Sequence, residues 1–275
     1  MDKHLDIFAE LKNGMDKHDL LKLAADPKYI PGIYNYCDRW CERCPFTSRC
    51  LNCELVERQF GDLEENDQFN AAFWQRFSEM LHDTLELVRE TARERGIDLD
   101  TIERDAGGRS DDVDERNPAV HLIAHASKHY AASVDSWFDS NVDLFAEKER
   151  GLNRIRIATS GVDPAAEAVG INDATEIVQW YQHQIHVKLR RGIESARNEK
   201  EDADDGFPKD SDGSAKVALI GLDRSIAAWK MLLSSFPGQQ QPILNFVASL
   251  ESIRRRVEAQ FPHARAFVRP GLDDV

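Results

Sequence analysis

Residues 174–198 read ATEIVQWYQHQIHVKLRRGIESARN, and they give the clearest indication of the fold class. Their apolar side chains recur three or four positions apart, which is the spacing of an α-helix and not of a strand. These side chains cover much of the helix circumference, so other elements must pack against several of its sides. The recurring apolar residues are Ile177, Val178, Tyr181, Ile185, Leu189 and Ile193. The stretch therefore predicts a helix that lies inside a helical bundle.

The same periodicity continues before and after this stretch. The predicted helices lie at 2–12, 16–25, 51–60, 66–95, 118–150, 174–198, 214–235 and 242–260. Asn117-Pro118 is a typical helix start, and Asn172-Asp173 is expected to cap the helix at 174–198 after a short helical turn that begins at Asp163-Pro164. A glycine-rich polar loop is predicted at 103–117 and an acidic loop at 201–213. We find no convincing strand pattern and no internal repeat.

These elements predict an all-α protein, a bundle of about five long helices with an N-terminal cysteine-rich, metal-binding subdomain. We expect the subdomain at 1–62, the bundle at 63–262 and a tail without periodicity at 263–275. The length of 275 residues is sufficient for a substantial hydrophobic core.

Composition excludes several classes of function. The formal net charge of −14 disfavours nucleic acid and anionic membranes as partners, because binding phosphate requires an excess of Lys and Arg. No run of eighteen apolar residues predicts a membrane span, and the N-terminus has no apolar signal core. We therefore expect a cytoplasmic protein, in which clustered cysteines bind metal and do not form disulfides.

All five cysteines lie between Cys37 and Cys53, in the stretch CDRWCERCPFTSRCLNC. A zinc site would use the two Cys-x2-Cys pairs, Cys41 with Cys44 and Cys50 with Cys53. An iron–sulfur site would instead use Cys37, Cys41, Cys44 and Cys50, leaving Cys53 as a small buried residue or an alternative fourth ligand. The expected cofactor is a [4Fe-4S] cluster, and zinc is the alternative.

The segment from Cys41 to Cys50 resembles the [4Fe-4S] loop of the endonuclease III-like DNA glycosylases, whose pattern is Cys-x6-Cys-x2-Cys-x5-Cys. This chain has the x2 and x5 gaps and a Cys-Pro-apolar segment at Cys44, Pro45 and Phe46, but its first gap is x3. The resemblance implies the cluster. It does not extend to the glycosylase activity, because the helix-hairpin-helix segment and the catalytic Asp context of that family are not recognisable.

Cys37, Cys41 and Cys44 are also spaced like the Cys-x3-Cys-x2-Cys motif of radical S-adenosylmethionine enzymes. That motif lies in a loop of a barrel of alternating strands and helices. The helical pattern that follows Cys53 here disfavours this resemblance, and Arg43 stands where those enzymes have an aromatic residue.

A second candidate site is a polar seam formed by Glu176, His183 and Asp223, which are the catalytic candidates. Glu176 and His183 lie seven residues apart on the helix at 174–198 and are expected to be partly buried beside Trp180. Asp223 has apolar helical neighbours, with Lys216 and Lys230 within reach, so it is expected to be an ion-pair partner or part of a polar site.

The sequence leaves three functions open. The first is a metal-binding protein with a four-cysteine [4Fe-4S] site, which serves redox chemistry or electron transfer with an unknown partner. The second is an interaction protein with structural zinc. The third is an oxidoreductase that uses the polar seam with a second metal. Whether the chain is an enzyme, and its oligomeric state, stay undetermined at this level.

Overall fold

The computed structural model describes residues 17–60, 71–98, 118–154, 163–199 and 209–273, and over these residues the predicted all-α class is confirmed. The described residues form eight α-helices and no strand. The helices are α1 (Lys17–Ala24), α2 (Leu51–Phe60), α3 (Ala71–Glu94), α4 (Pro118–Ser140), α5 (Val142–Arg154), α6 (Pro164–Asn198), α7 (Asp210–Ser235) and α8 (Gln240–Gln260). The helix predicted at 2–12 and most of both predicted loops lie outside the described residues.

The chain divides into two compact units whose boundary crosses the cysteine stretch. The first unit comprises Met1–Asn35 and Cys41–Asp112, and contains α1 to α3. The second unit comprises Val113–Val275 together with the short piece Tyr36–Trp40, which we call the anchor segment. Cys37 therefore belongs to the second unit and the other four cysteines to the first.

Helix α6 corrects the prediction of a separate short turn before residue 174. It is one helix of 35 residues that starts at Pro164, where the Asp163 carboxylate accepts a hydrogen bond from the N–H of Ala165 at 3.0 Å. Asn172 does not cap a new helix; its side chain donates to Glu176 one turn later at 2.6 Å. A good N-cap with Pro at the first position starts the helix earlier than the capping pair that the sequence suggested.

The single helix predicted at 118–150 is divided at Asn141 into α4 and α5. The Asn141 side chain donates to the carbonyl of Trp137 at 2.7 Å, and its backbone N–H bonds the carbonyl of Phe138 at 3.0 Å. An Asn side chain that bonds the local backbone competes with the helical pattern, which accounts for the break.

The core of the second unit lies mainly between α6 and α7. The two helices pack closely at Gly221, where an added Cβ would lie 2.9 Å from the Tyr181 ring and 3.2 Å from Ile185. Helices α4 and α8 add an aromatic group in which the Trp137 and Phe246 rings lie 5.2 and 4.6 Å from that of Trp229. The Trp229 indole N–H donates to the buried Tyr130 hydroxyl at 2.9 Å. No helix among the described residues has the length and apolar character to cross a membrane.

Candidate metal centre

In the first unit, two 3-10 turns and the start of α2 position four cysteines. The turn Cys41–Arg43 is followed by Cys44, whose N–H bonds the Cys41 carbonyl at 3.1 Å. The turn Thr47–Arg49 ends at Cys50, whose N–H bonds the Thr47 carbonyl at 3.2 Å. Cys53 lies in the first turn of α2, three residues after Cys50 and therefore on the same side of the helix.

Cys53 interacts with each of the other three, and we call the four residues Cys41, Cys44, Cys50 and Cys53 the cysteine cluster. The pKa of the Cys53 thiol is raised by burial and by the neighbouring Cys50 and Cys44 sulfurs, while a hydrogen bond with Cys41 acts in the opposite direction. Cys53 is thus in contact or in electrostatic reach of the other three. Cys53 is a ligand in the predicted zinc site and is left out of the predicted iron–sulfur site.

The cysteine cluster has the donor chemistry of a metal site. Four thiols at Cys-x2-Cys spacing form the ligand set that Zn²⁺ prefers and that iron–sulfur clusters also accept. The Cys44 sulfur accepts the backbone N–H of Phe46 at 3.4 Å, which orients it as outer hydrogen bonds orient metal ligands. The five cysteines, all of them described, form no disulfide. Over the described part of the chain, no three His, Cys, Asp or Glu side chains already have the arrangement of a metal site.

No residue described from Cys41 to Arg58 is buried. The two 3-10 turns contain no buried side chain, and the half-buried residues of α2 include Leu51 and Leu55. A segment without its own apolar core needs another source of stability, and in small units that source is commonly a metal or a disulfide.

Cys37 lies in a different environment, against the second unit. Burial raises the pKa of its thiol, and the Arg39 backbone N–H and the Lys188 charge act in the opposite direction. Arg39, two residues after Cys37, adopts a positive φ of 55°, a backbone conformation that is uncommon for residues other than glycine.

The anchor segment is held by Asp38, which sequence reasoning missed. The Asp38 carboxylate accepts from the Tyr181 hydroxyl at 2.5 Å and from the Arg224 guanidinium at 2.7 Å. Its backbone carbonyl accepts from the Trp180 indole at 3.0 Å and from the Gln184 amide. Burial and the Asp38 carboxylate raise the pKa of the Tyr181 hydroxyl, so Tyr181 is a neutral donor at physiological pH.

Two aromatic residues attach the ends of the anchor segment. The Trp40 ring is stacked on Trp180 with centroids 5.0 Å apart. The Tyr36 hydroxyl donates to Asp210 at 3.0 Å, and burial, with the Asp210 charge, raises the pKa of Tyr36 to about 12. The only local signal for this attachment was the aromatic character of the residues that flank Cys37.

The three residues of the predicted polar seam make their described contacts with different partners. His183 lies 3.4 Å from Asp135 on α4, and Glu176 accepts from Asn172 on its own helix. Both are exposed, so the expectation that they are partly buried is wrong. They lie on a face of α6 that is turned to solvent, whereas Tyr181, Ile185 and Leu189 of the same helix are buried.

Asp223 is half-buried and paired with two arginines. Its carboxylate lies 2.5 Å from Arg265 and 3.2 Å from Arg254. Burial alone would raise the pKa of Asp223, but the hydrogen bonds and charges of these arginines outweigh it and hold the pKa below its usual value. The expected partners Lys216 and Lys230 instead contact the Arg265 carbonyl and Glu251. Asp223 is therefore an ion-pair partner, which was one of the two roles predicted for it; the other was part of a polar site.

Comparisons of the chain with protein-family models, with curated proteins and with solved structures find no significant match.

Proposed function

We propose that this chain is a structural-zinc protein in which Cys41, Cys44, Cys50 and Cys53 together bind one Zn²⁺ ion. The observation that supports this ligand set is the position of Cys53, whose thiol interacts with those of Cys41, Cys44 and Cys50. The zinc alternative requires Cys53, whereas the iron–sulfur alternative leaves it out.

The burial pattern favours a structural role for the ion. Four thiolates fill the coordination sphere of zinc and leave no open position for a substrate, which is the arrangement of structural and not of catalytic zinc. The segment that carries the cysteine cluster has no buried residue from Cys41 to Arg58, so a metal cross-link would supply the stability that a core supplies elsewhere. When bound, the zinc would hold two turns and the start of α2 together.

A zinc-stabilised segment without catalytic groups suits an interaction module. Its partner would be another protein, because the net charge of −14 disfavours nucleic acid. Thiols that must stay reduced to bind zinc also favour the cytoplasm. The [4Fe-4S] site of Cys37, Cys41, Cys44 and Cys50 stays a prediction, and the experiment below separates the two.

The test measures bound metal in the protein purified without oxygen. We expect about one zinc per chain and no visible absorption, since zinc has a filled d shell. Cys53→Ser should lose most of the bound zinc. Cys37→Ser is the matched control, because it removes a cysteine from the same stretch, and it should keep the zinc.

The opposite result would overturn the proposal. A brown protein that contains iron, and that loses it in Cys37→Ser but retains it in Cys53→Ser, identifies the iron–sulfur ligand set instead. A protein with neither metal after purification, and with no zinc uptake at neutral pH under reducing conditions, refutes both metal assignments.

A further inference from the structure

The anchor segment brings Cys37 over the middle of α6. The segment runs antiparallel to α6. The Asp38 carbonyl accepts hydrogen bonds from Trp180 and Gln184, whereas the earlier residue Tyr36 has its ring 5.9 Å from the guanidinium carbon of Arg191, further along the helix. Cys37 stands between Tyr36 and Asp38, so it lies against the part of α6 between Gln184 and Arg191. Lys188 is the buried residue in this part of α6 whose charge lowers the pKa of the Cys37 thiol.

Lys188 is an unusual lysine because its side chain is buried, with 7% of the residue exposed. The negative charge of Asp210 raises the pKa of Lys188, but the carboxylate oxygens of Asp210 accept hydrogen bonds from Arg191, Ser195 and Tyr36. Among the described residues, no carboxylate is dedicated to Lys188. A buried ammonium without such a partner is costly, and the cost favours the neutral amine, which is the nucleophilic form.

We propose that Cys37 and Lys188 form an oxidation-dependent cross-link, a sulfenamide bond between the cysteine sulfur and the lysine nitrogen, in the folded protein. The oxidant is hydrogen peroxide or a related peroxide. The site lies wholly in the second unit and does not involve the cysteine cluster.

The reaction has two balanced steps. In the first step the Cys37 sulfur attacks one peroxide oxygen and the O–O bond breaks; the sulfur is oxidised to a sulfenic acid and the peroxide is reduced to water. In the second step the neutral Lys188 amine attacks the sulfur, the S–O bond breaks and a second water leaves with a proton from nitrogen. The product has lost two hydrogen atoms relative to the thiol and the amine, and an added thiol reverses it.

The surroundings of Lys188 favour the neutral form of its amine. Burial lowers the pKa of Lys188, and Arg191 and Arg39 act in the same direction. The negative charges of a Cys37 thiolate and of Asp210 raise the pKa of Lys188 and so oppose this effect. The nitrogen is therefore deprotonated more readily than that of an exposed lysine, which the second step requires.

Peptide mapping tests the cross-link directly. The folded protein is treated with hydrogen peroxide, any remaining thiols are blocked, and the chain is cut with trypsin. Cys37 is the only cysteine in the fragment 29–39, and a modified Lys188 resists cleavage and stays in the fragment 157–190. We expect these two fragments to be joined, with a mass about 2 Da below their sum, and to separate after treatment with dithiothreitol.

Matched variants and an unfolded control define the result. Lys188→Met retains the length of the side chain without the amine and should abolish the joined fragment, as should Cys37→Ser. Lys128→Met removes an exposed lysine of α4 and should leave the yield unchanged. The proposal is overturned if peroxide converts Cys37 in the folded wild type to sulfinic acid or disulfide without any joined fragment. It is also overturned if the joined fragment forms equally well in guanidinium, where the two residues have no fixed contact.

Discussion

Gly213→Ala is predicted to destabilise the second unit because the anchor segment occupies the space beside Gly213. This glycine lies in the first turn of α7, and an added Cβ would lie 2.6 Å from the Tyr36 Cδ1 atom and 2.8 Å from the Phe267 Cζ atom. It would come still closer to Tyr36 Cε1. The Tyr36 ring must therefore move, which also weakens its hydrogen bond to Asp210.

Two opposing effects set the magnitude. Overpacking of a filled site costs about 1–3 kcal/mol, whereas replacing Gly by Ala in a helix stabilises it by about 1 kcal/mol. We expect the steric effect to dominate, with a net loss of up to about 2 kcal/mol in the free energy of unfolding. The control is Gly151→Ala in α5, where no atom lies within 4 Å of the added Cβ; it should stabilise the protein by about 0.5–1 kcal/mol.

Urea denaturation followed by far-ultraviolet circular dichroism measures these differences. Repeating Gly213→Ala in a Tyr36→Ala background isolates the contact with the ring, since most of the obstruction is then gone. We expect a coupling free energy of about 1–3 kcal/mol between the two changes. If Gly213→Ala stabilises the protein as much as Gly151→Ala does, or has the same effect with and without the Tyr36 ring, the anchor segment does not lie where we describe it.

Two further predictions concern the second unit. Tyr130→Phe should lower the free energy of unfolding by about 1–3 kcal/mol, because the buried Trp229 indole N–H loses its acceptor; unchanged thermal and urea midpoints would contradict this. Asp223→Asn should lower stability at neutral pH, because the pKa of Asp223 is depressed in the folded state by Arg265 and Arg254. A depressed pKa contributes stability above the unfolded value of about 3.9, and that contribution is lost as the pH falls through the lower folded value. Denaturation curves of the variant and the wild type should therefore converge in acid, and a constant difference down to about pH 2 would exclude the ion pair as its source.

Local sequence patterns predicted much of the helical content. The prediction at 51–60 coincides with α2, and those at 214–235 and 242–260 differ from α7 and α8 only near their first residues. Proline and glycine near Phe236 end α7, and apolar periodicity extends along both helices, so the signals are local. The errors at Asn141 and Asn172 have a local cause too. One asparagine bonds the backbone of the preceding turn and interrupts a helix, while the other bonds a side chain and does not.

The candidate site was predictable only in part. Spacing predicts Cys41, Cys44 and Cys50 as ligands of either metal, with Cys37 as the fourth ligand of an iron–sulfur cluster or Cys53 as the fourth ligand of zinc. In the structure, Cys53 interacts with the other three, whereas Cys37 interacts electrostatically with Lys188. Spacing along the chain does not report the backbone conformation between two cysteines, and Arg39, between Cys37 and Cys41, has a positive φ that the spacing does not reveal.

The sequence by itself determined the helical class, most of the described helix positions and the presence of a cysteine-rich segment, because each depends on residues only a few positions apart. Tertiary structure alone decided that Asp38 anchors residues 36–40 to Tyr181 and Arg224, that Glu176 and His183 face solvent, and that Lys188 is buried. Asp38 is separated from Arg224 by 186 positions. A contact over that distance leaves no periodic trace in the sequence, since it arises only when the packing of the helices has brought the two residues together.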